Sequence, residues 1–212
     1  MVSCPLKSSS PCRWRRRKEA RPEEIMDAAL ALFSEKGFTA TRMCDVAKKA
    51  GISKGTLYLY FENKEAIFES LVHEMIEPQL DQNEHLIDNY QGSAEDLLRE
   101  LATGWWQSVI ETKLSAIPKL VISESGNFPE MAKFFMQNVA IRSRNTFVKV
   151  IEYGIRKGEF IKCDPVAAAR LVIAPLVHAS IWMHSLEAFD EDNFDRNYLE
   201  LHIQFLLKGL KK

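Results

Sequence analysis

Hydrophobic positions recur at helical spacing along nearly the whole chain. Ile25, Ala28, Ala29, Leu32 and Phe33 fall at i, i+3, i+4, i+7 and i+8, which predicts one apolar face of a helix. Pro22 suits the first position of that helix, and Glu23 and Glu24 complement the positive end of its dipole. Gly37 stops it, with Phe38 folding back on the last turn. Thr41 is expected to cap a second helix whose inward set is Met43, Val46, Ala47 and Ala50. Gly51 breaks that helix, and Ser53 caps a third in which Leu57 and Phe61, four apart, face inward. Asn63 opens a fourth with Ile67, Phe68, Leu71 and Met75 inside, and Pro78 with the polar stretch 81–91 predicts its bend or end near 77–90.

The pattern stays helical beyond residue 92, with no strand alternation. Ser93 with Asp96 is a capping signature for a helix through about 112. A short helix at 117–124 and the turn Gly126-Asn127-Phe128-Pro129 lead into a long helix at 129–157, closed by Gly158. Asp164-Pro165 opens another to about 186 with Pro175 as a kink, and after an acidic loop at 190–193 the last helix covers 194–210. The expected fold class is all-α, with about nine helices.

Composition adds one asymmetry. Hydrophobic residues make up 46% and charged residues 27%, ordinary for a globular protein, and the formal net charge of −1 gives no overall pull toward a polyanion. Charge is unevenly placed, however. Residues 1–65 hold 13 Lys and Arg against 8 Asp and Glu, while the remainder holds 15 against 21, so the front end is the part expected to meet a polyanion. The Ser/Pro-rich start at 1–12 is expected to be disordered. Arg13, Arg15, Arg16, Arg17, Lys18 and Arg21 follow, as a solvated tail or as an arm along phosphates or in a minor groove. Cys4, Cys12, Cys44 and Cys163 lack metal-ligand or disulfide spacing, no apolar run approaches the roughly 20 residues of a membrane span, and the start lacks a secretory h-region. These readings place the protein in the cytoplasm, away from membranes.

Residues 51–64 carry the clearest chemistry. With Leu57 and Phe61 inward, the third helix turns Lys54, Gly55, Thr56, Tyr58 and Tyr60 outward, a surface poorly explained by packing and well suited to a polyanion. Two short helices joined by a Gly-containing turn make a helix-turn-helix, whose second helix enters the major groove. The run Ala28-Ala29-Leu30-Ala31-Leu32-Phe33, Gly37-Phe38, Asp45-Val46-Ala47, Ala50-Gly51, Ser53-Lys54-Gly55-Thr56-Leu57-Tyr58, Tyr60-Phe61 and Asn63-Lys64-Glu65 resembles the DNA-binding domain of TetR-family bacterial transcriptional regulators. Arg42 and Cys44 depart from the commonest pattern of that family.

The resemblance implies DNA contact by Thr41, Lys54, Gly55, Thr56, Tyr58, Tyr60 and Lys64; Arg42 adds a phosphate contact and Ser53 heads the reading helix. Each suits its task. Gly55 lets backbone approach DNA, Thr56 can hydrogen-bond and touch a thymine methyl, and the tyrosines and Lys64 can donate to phosphate. Completion of the small domain's core is the competing role for the tyrosines. The resemblance also implies a helix-turn-helix domain at 22–66, after the leader 1–21, and a ligand-binding and dimerisation domain at 67–212.

Within that larger domain the candidate pocket residues are Trp105, Trp106, Val109, Phe135, Met136, Phe147, His178 and Trp182, suited to a small apolar or amphipathic effector. Adjacent Trp105 and Trp106 cannot face the same way, so one lines a cavity or interface while the other packs. His178 and His184, six apart, do not share a face for a metal. No nucleophile–base pair, phosphate loop or paired carboxylates are evident, so neither an enzyme nor a cofactor is indicated. The last two helices have broad apolar faces, part of which a single chain could bury; the resemblance implies that they pair with their counterparts in a homodimer that offers two reading helices to a palindromic double-stranded DNA operator. The function so implied is a ligand-released repressor; an architectural DNA-binding protein without an effector is the nearest rival.

Overall fold

The computed structural model describes residues 22–190 and 194–212; the expectations for the leader 1–21 and its basic arm lie outside the described residues. Among the described residues are α1 (Pro22–Lys36), α2 (Met43–Lys49), α3 (Lys54–Tyr60), α4 (Lys64–Met75), α5 (Glu77–Asn89), α6 (Ala94–Trp105), α7 (Ala116–Glu124), α8 (Pro129–Phe135), α9 (Ile141–Lys157), α10 (Pro165–Met183) and α11 (Arg196–Leu210). Two junctions make these segments into nine rods. The α4–α5 rod bends at Ile76, where Pro78 in the first turn of α5 restarts the helix. A five-residue π turn, Met136–Ala140, links α8 to α9. The polar stretch after Pro78 is therefore helical to Asn89.

Caps fix most of the boundaries. The side chains of Ser53, Asn63, Ser93 and Asp164 accept from the backbone N–H groups of Thr56, Ala66, Asp96 and Val166. Gly37 and Gly51, at φ of 82° and 70°, make left-handed turns that a side chain would strain. Thr41 does not cap α2 as expected. Arg42 occupies that position without a side-chain bond, while the Thr41 hydroxyl donates to the carbonyls of Gly37 (2.7 Å) and Leu32 (3.3 Å) and closes α1 instead.

Two apolar cores follow from the faces of these helices. The first runs from Ile25, Phe33 and Phe38 through Leu57, Phe68 and Leu71 to Leu114, Leu120 and Met131, so it continues from α1–α4 into α7 and α8. The second joins Leu97 and Trp106 with Phe147, Ile151, Val172, Leu176, Leu199 and Ile203, from α6, α9, α10 and α11. Arg142 ties α9 to α5 through Glu84 (3.0 Å) and Asp81 (2.5 Å).

One expectation is corrected. By length and composition α10, of 19 residues, is apolar enough to cross a membrane, with a mean hydropathy of 1.6 over an 18-residue window. A third of that window is buried, and Ala169, Val172, Leu176 and Ala179 of this helix pack into the second core.

Candidate functional site

α3 has one buried face and one exposed face. Leu57 is fully buried and Phe61 nearly so, while Lys54, Gly55, Tyr58, Leu59 and Tyr60 are exposed and Thr56 is half-buried. The exposure of Tyr58 (46%) and Tyr60 (39%) decides against a core role for either ring. Leu59, at 85%, is the most exposed large apolar side chain on α3. Ser53 accepts from the Thr56 N–H at 3.0 Å and pairs with the Thr56 hydroxyl at 2.8 Å, which fixes the first turn. Lys54 lies 5.7 Å from the centre of the Tyr58 ring. At Gly55 an added Cβ would meet only Ser53 Oγ, at an ordinary 3.8 Å, so the fold itself leaves room for a side chain. Arg42 is exposed at the head of α2.

Two sequence-predicted contacts point elsewhere. Thr41 is buried and spends its hydroxyl on the carbonyls of Leu32 in α1 and Gly37 just after it, so it supports the turn after α1 from inside. Lys64 Nζ donates to the Phe38 carbonyl at 2.6 Å and sits 4.5 Å and 4.9 Å from the ring centres of Phe38 and Phe128. Burial pushes the Lys64 ammonium below its ordinary pKa, opposed by the charges of Glu65 and Glu124. Its side chain braces the turn after α1 and does not project beside α3.

Behind this domain lies a cavity of about 240 Å³. Its walls come from the α4–α5 bend (Met75, Ile76, Leu80), α6 and its π turn (Trp105, Val109), α7 (Ile117, Val121), the α8–α9 junction (Phe135, Met136, Val139) and α10 (Ile173, Val177). Gln79, Asn83, Ser108 and Ser143 supply polar groups, and no lining residue is charged. Four candidate pocket residues therefore belong to it: Trp105, Val109, Phe135 and Met136. The other four do not. Trp106 and Phe147 are buried in the second core, on the opposite side of their helices. His178 packs on Trp182 and Phe194, and Trp182 Nε1 donates to Asp190 at 2.7 Å. The π turn Trp106–Ile110 begins between the two tryptophans, and they diverge as expected, Trp105 to the cavity and Trp106 to the core. Among the described residues no three His, Cys, Asp or Glu side chains converge to hold a metal ion.

Sequence reasoning missed the cavity walls from the α4–α5 bend, α7 and α10, whose residues look like ordinary core. It also missed Glu124, a buried carboxylate that joins α7 to the turn between α1 and α2.

Residues 25–71 match the profile of bacterial regulatory proteins of the tetR family, and residues 96–204 match the C-terminal domain of AefR-like transcriptional repressors. The chain belongs to the TetR family. This TetR-family chain is therefore a DNA-binding transcriptional regulator, and its relatives are regulators, not enzymes. It is 25% identical to the fatty acid metabolism regulator protein of Bacillus subtilis over 193 residues, covering 87% of this chain and 95% of that one. With the repressor KstR2 of Mycolicibacterium smegmatis it shares 24% over 144 residues, 66% of this chain and 68% of that one. The fold also matches solved structures. The fatty acid degradation regulator FadR of Bacillus halodurans aligns with a TM-score of 0.71 at 23% identity, covering 91% of this chain and 97% of that one. FadR of Bacillus subtilis, solved in complex with stearoyl-CoA, aligns with a TM-score of 0.68 at 21% identity, covering 89% and 99%.

Proposed function

We propose that this chain is a homodimeric repressor of the cytoplasm that reads a palindromic operator with α3 and releases it when an apolar ligand occupies the cavity. Residues 22–66 are the reading unit and 67–212 the sensing and pairing unit, joined by the first core. The observation that carries this reading is the course of α4. Its 12 residues, about 18 Å of helix, start at Lys64 beside α3 and end at Met75 in the cavity wall. Movement at one end therefore reaches the other.

Within this reading Lys54, Gly55, Thr56, Tyr58 and Tyr60 meet the DNA, Leu59 reaches a thymine methyl, and Arg42 adds a phosphate contact from the head of α2. Ser53 positions Thr56. The cavity takes a long apolar chain. Its uncharged lining supports this, as do the relative that regulates fatty acid metabolism and the stearoyl-CoA bound to a FadR of like fold. Ligand pockets commonly span about 300–1,000 Å³, so this 240 Å³ cavity takes the apolar end of such a ligand or widens around it. Such a ligand lowers operator affinity to the extent that it prefers the widened arrangement. Two copies pair through α10 and α11, where Leu171, Leu201 and Phe205 are exposed on the single chain.

Selection from a random duplex library tests the DNA half of this reading. The expected product is an inverted repeat bound by two chains, with affinity falling steeply as salt rises. Recovery of no common sequence, or of a site bound by one chain, would contradict it.

A further inference from the structure

Glu124 is the one ionisable residue among the buried polar side chains described. It lines neither the cavity nor the outer surface of α3. From the last residue of α7 it reaches residues 85 positions earlier in the chain. Oε1 accepts from the Thr39 backbone N–H at 3.0 Å, and Oε2 accepts from the Thr39 hydroxyl at 2.7 Å and from Asn127 Nδ2 at 3.1 Å. Burial raises its pKa, but the hydrogen bonds from Thr39 and Asn127 and the charge of Lys64 outweigh that and hold it below its ordinary value. Four residues further on, the Phe128 ring meets the Phe38 ring edge-on at 4.8 Å, and Lys64 covers both. Phe38 and Thr39 belong to the short connection between α1 and α2, which sets where the helix-turn-helix sits on α1.

The position of this grip matters. Residues 125–128 are the turn between α7 and α8, and both neighbours are cavity walls: Ile117, Pro118, Val121 and Ile122 on one side, Phe135 and Met136 on the other. Val121 stands one helical turn before Glu124, so an occupant that moves α7 moves the carboxylate with it. We propose that the α7–α8 turn is a second coupling arm, in which Glu124 and Phe128 carry cavity occupation to the α1–α2 connection alongside α4, whose Lys64 covers the same rings. The inference rests on the reading of the cavity as the regulatory site, and it makes Glu124 a positioning residue for DNA binding. An uncompensated buried hydrogen-bond partner is costly, so the arm transmits displacement instead of slipping.

A double-mutant cycle on operator affinity tests the arm in the full chain, with fluorescence anisotropy on the selected operator duplex. Ala140→Phe places a ring into the cavity from the α8–α9 wall, a permanent occupant that needs no identified ligand. Glu124→Gln keeps the size but faces an amide N–H₂ toward donors, cutting one side of the grip; Thr39→Val cuts it from the other side. Thermal unfolding reports whether each variant is folded, and Val109→Trp fills the cavity from α6 if Ala140→Phe is not. In the otherwise native chain the filled cavity lowers operator affinity about tenfold. With Glu124→Gln, and equally with Thr39→Val, that loss shrinks to less than half on a logarithmic scale. An undiminished loss in both backgrounds overturns the arm and leaves the repressor reading standing, with α4 as the route. No loss in the native background overturns the repressor reading and the arm together.

Discussion

Gly55 separates folding from binding at a single residue. A Cβ there meets nothing closer than 3.8 Å, and in the first turn of α3 alanine suits helical backbone at least as well as glycine. Gly55→Ala is therefore expected to leave the melting temperature unchanged or raise it while weakening operator binding, because the methyl occupies space the DNA backbone needs. Loss of both together would return Gly55 to a purely structural role. Two histidines give the molecule an acid limit. Burial lowers the pKa of His184, with the Lys119 charge adding to it and Glu187 opposing; Ser115 Oγ lies 2.8 Å from its Nε2. Burial also lowers His202, partly offset by the Val172 carbonyl at 2.9 Å. With folded values below the ordinary 6.5, the unfolded chain binds more protons as pH falls. Stability should thus decline as pH drops below about 6.5. His184→Gln should flatten that decline in thermal unfolding across pH 5–7.5; an identical decline in the variant would remove His184 from the cause.

At the scale of elements, the helix-turn-helix was legible because its determinants are local. Ser53 and Asn63 cap as expected, Gly37 and Gly51 turn as expected, and the apolar spacing assigns Leu57 and Phe61 inward. What stayed illegible depends on partners distant in sequence. Nothing near Lys64 signals that its ammonium folds back on the Phe38 carbonyl 26 positions earlier, and Glu124 reads as a surface acid until Thr39 is placed beside it. The tryptophan pair shows the limit from the other direction. Spacing requires Trp105 and Trp106 to diverge, but only the packing of α6 against α9 and α11 decides that Trp106 goes to the core. Size and rarity nominate Phe147, His178 and Trp182 for the pocket, but neither property reports the face of a helix.

For the whole molecule, the exposed apolar side chains on the last helices are what the proposed dimer would cover. Leu201 and Phe205 lie one turn apart on α11, at 49% and 63% exposure, with Leu171 of α10 at 65%. Burying such a strip against its counterpart offers roughly 25 cal/mol for each Å² of apolar surface removed from water. Phe205→Glu sets like charges together at a two-fold interface, so sedimentation equilibrium should show a dimer for the native chain and a monomer for the variant. An unchanged dimer would put the interface elsewhere. In the proposed dimer a shift of α4 in each copy would alter the separation of two α3 helices at once. The decisive measurement is a titration of the protein on its selected operator with stearoyl-CoA, with ligand binding read from the change in tryptophan fluorescence, to which Trp105 of the cavity wall contributes, and operator affinity read from anisotropy in the same sample. Operator affinity should fall about tenfold or more in step with occupation; full occupation with undiminished affinity would mean that the cavity does not govern DNA binding.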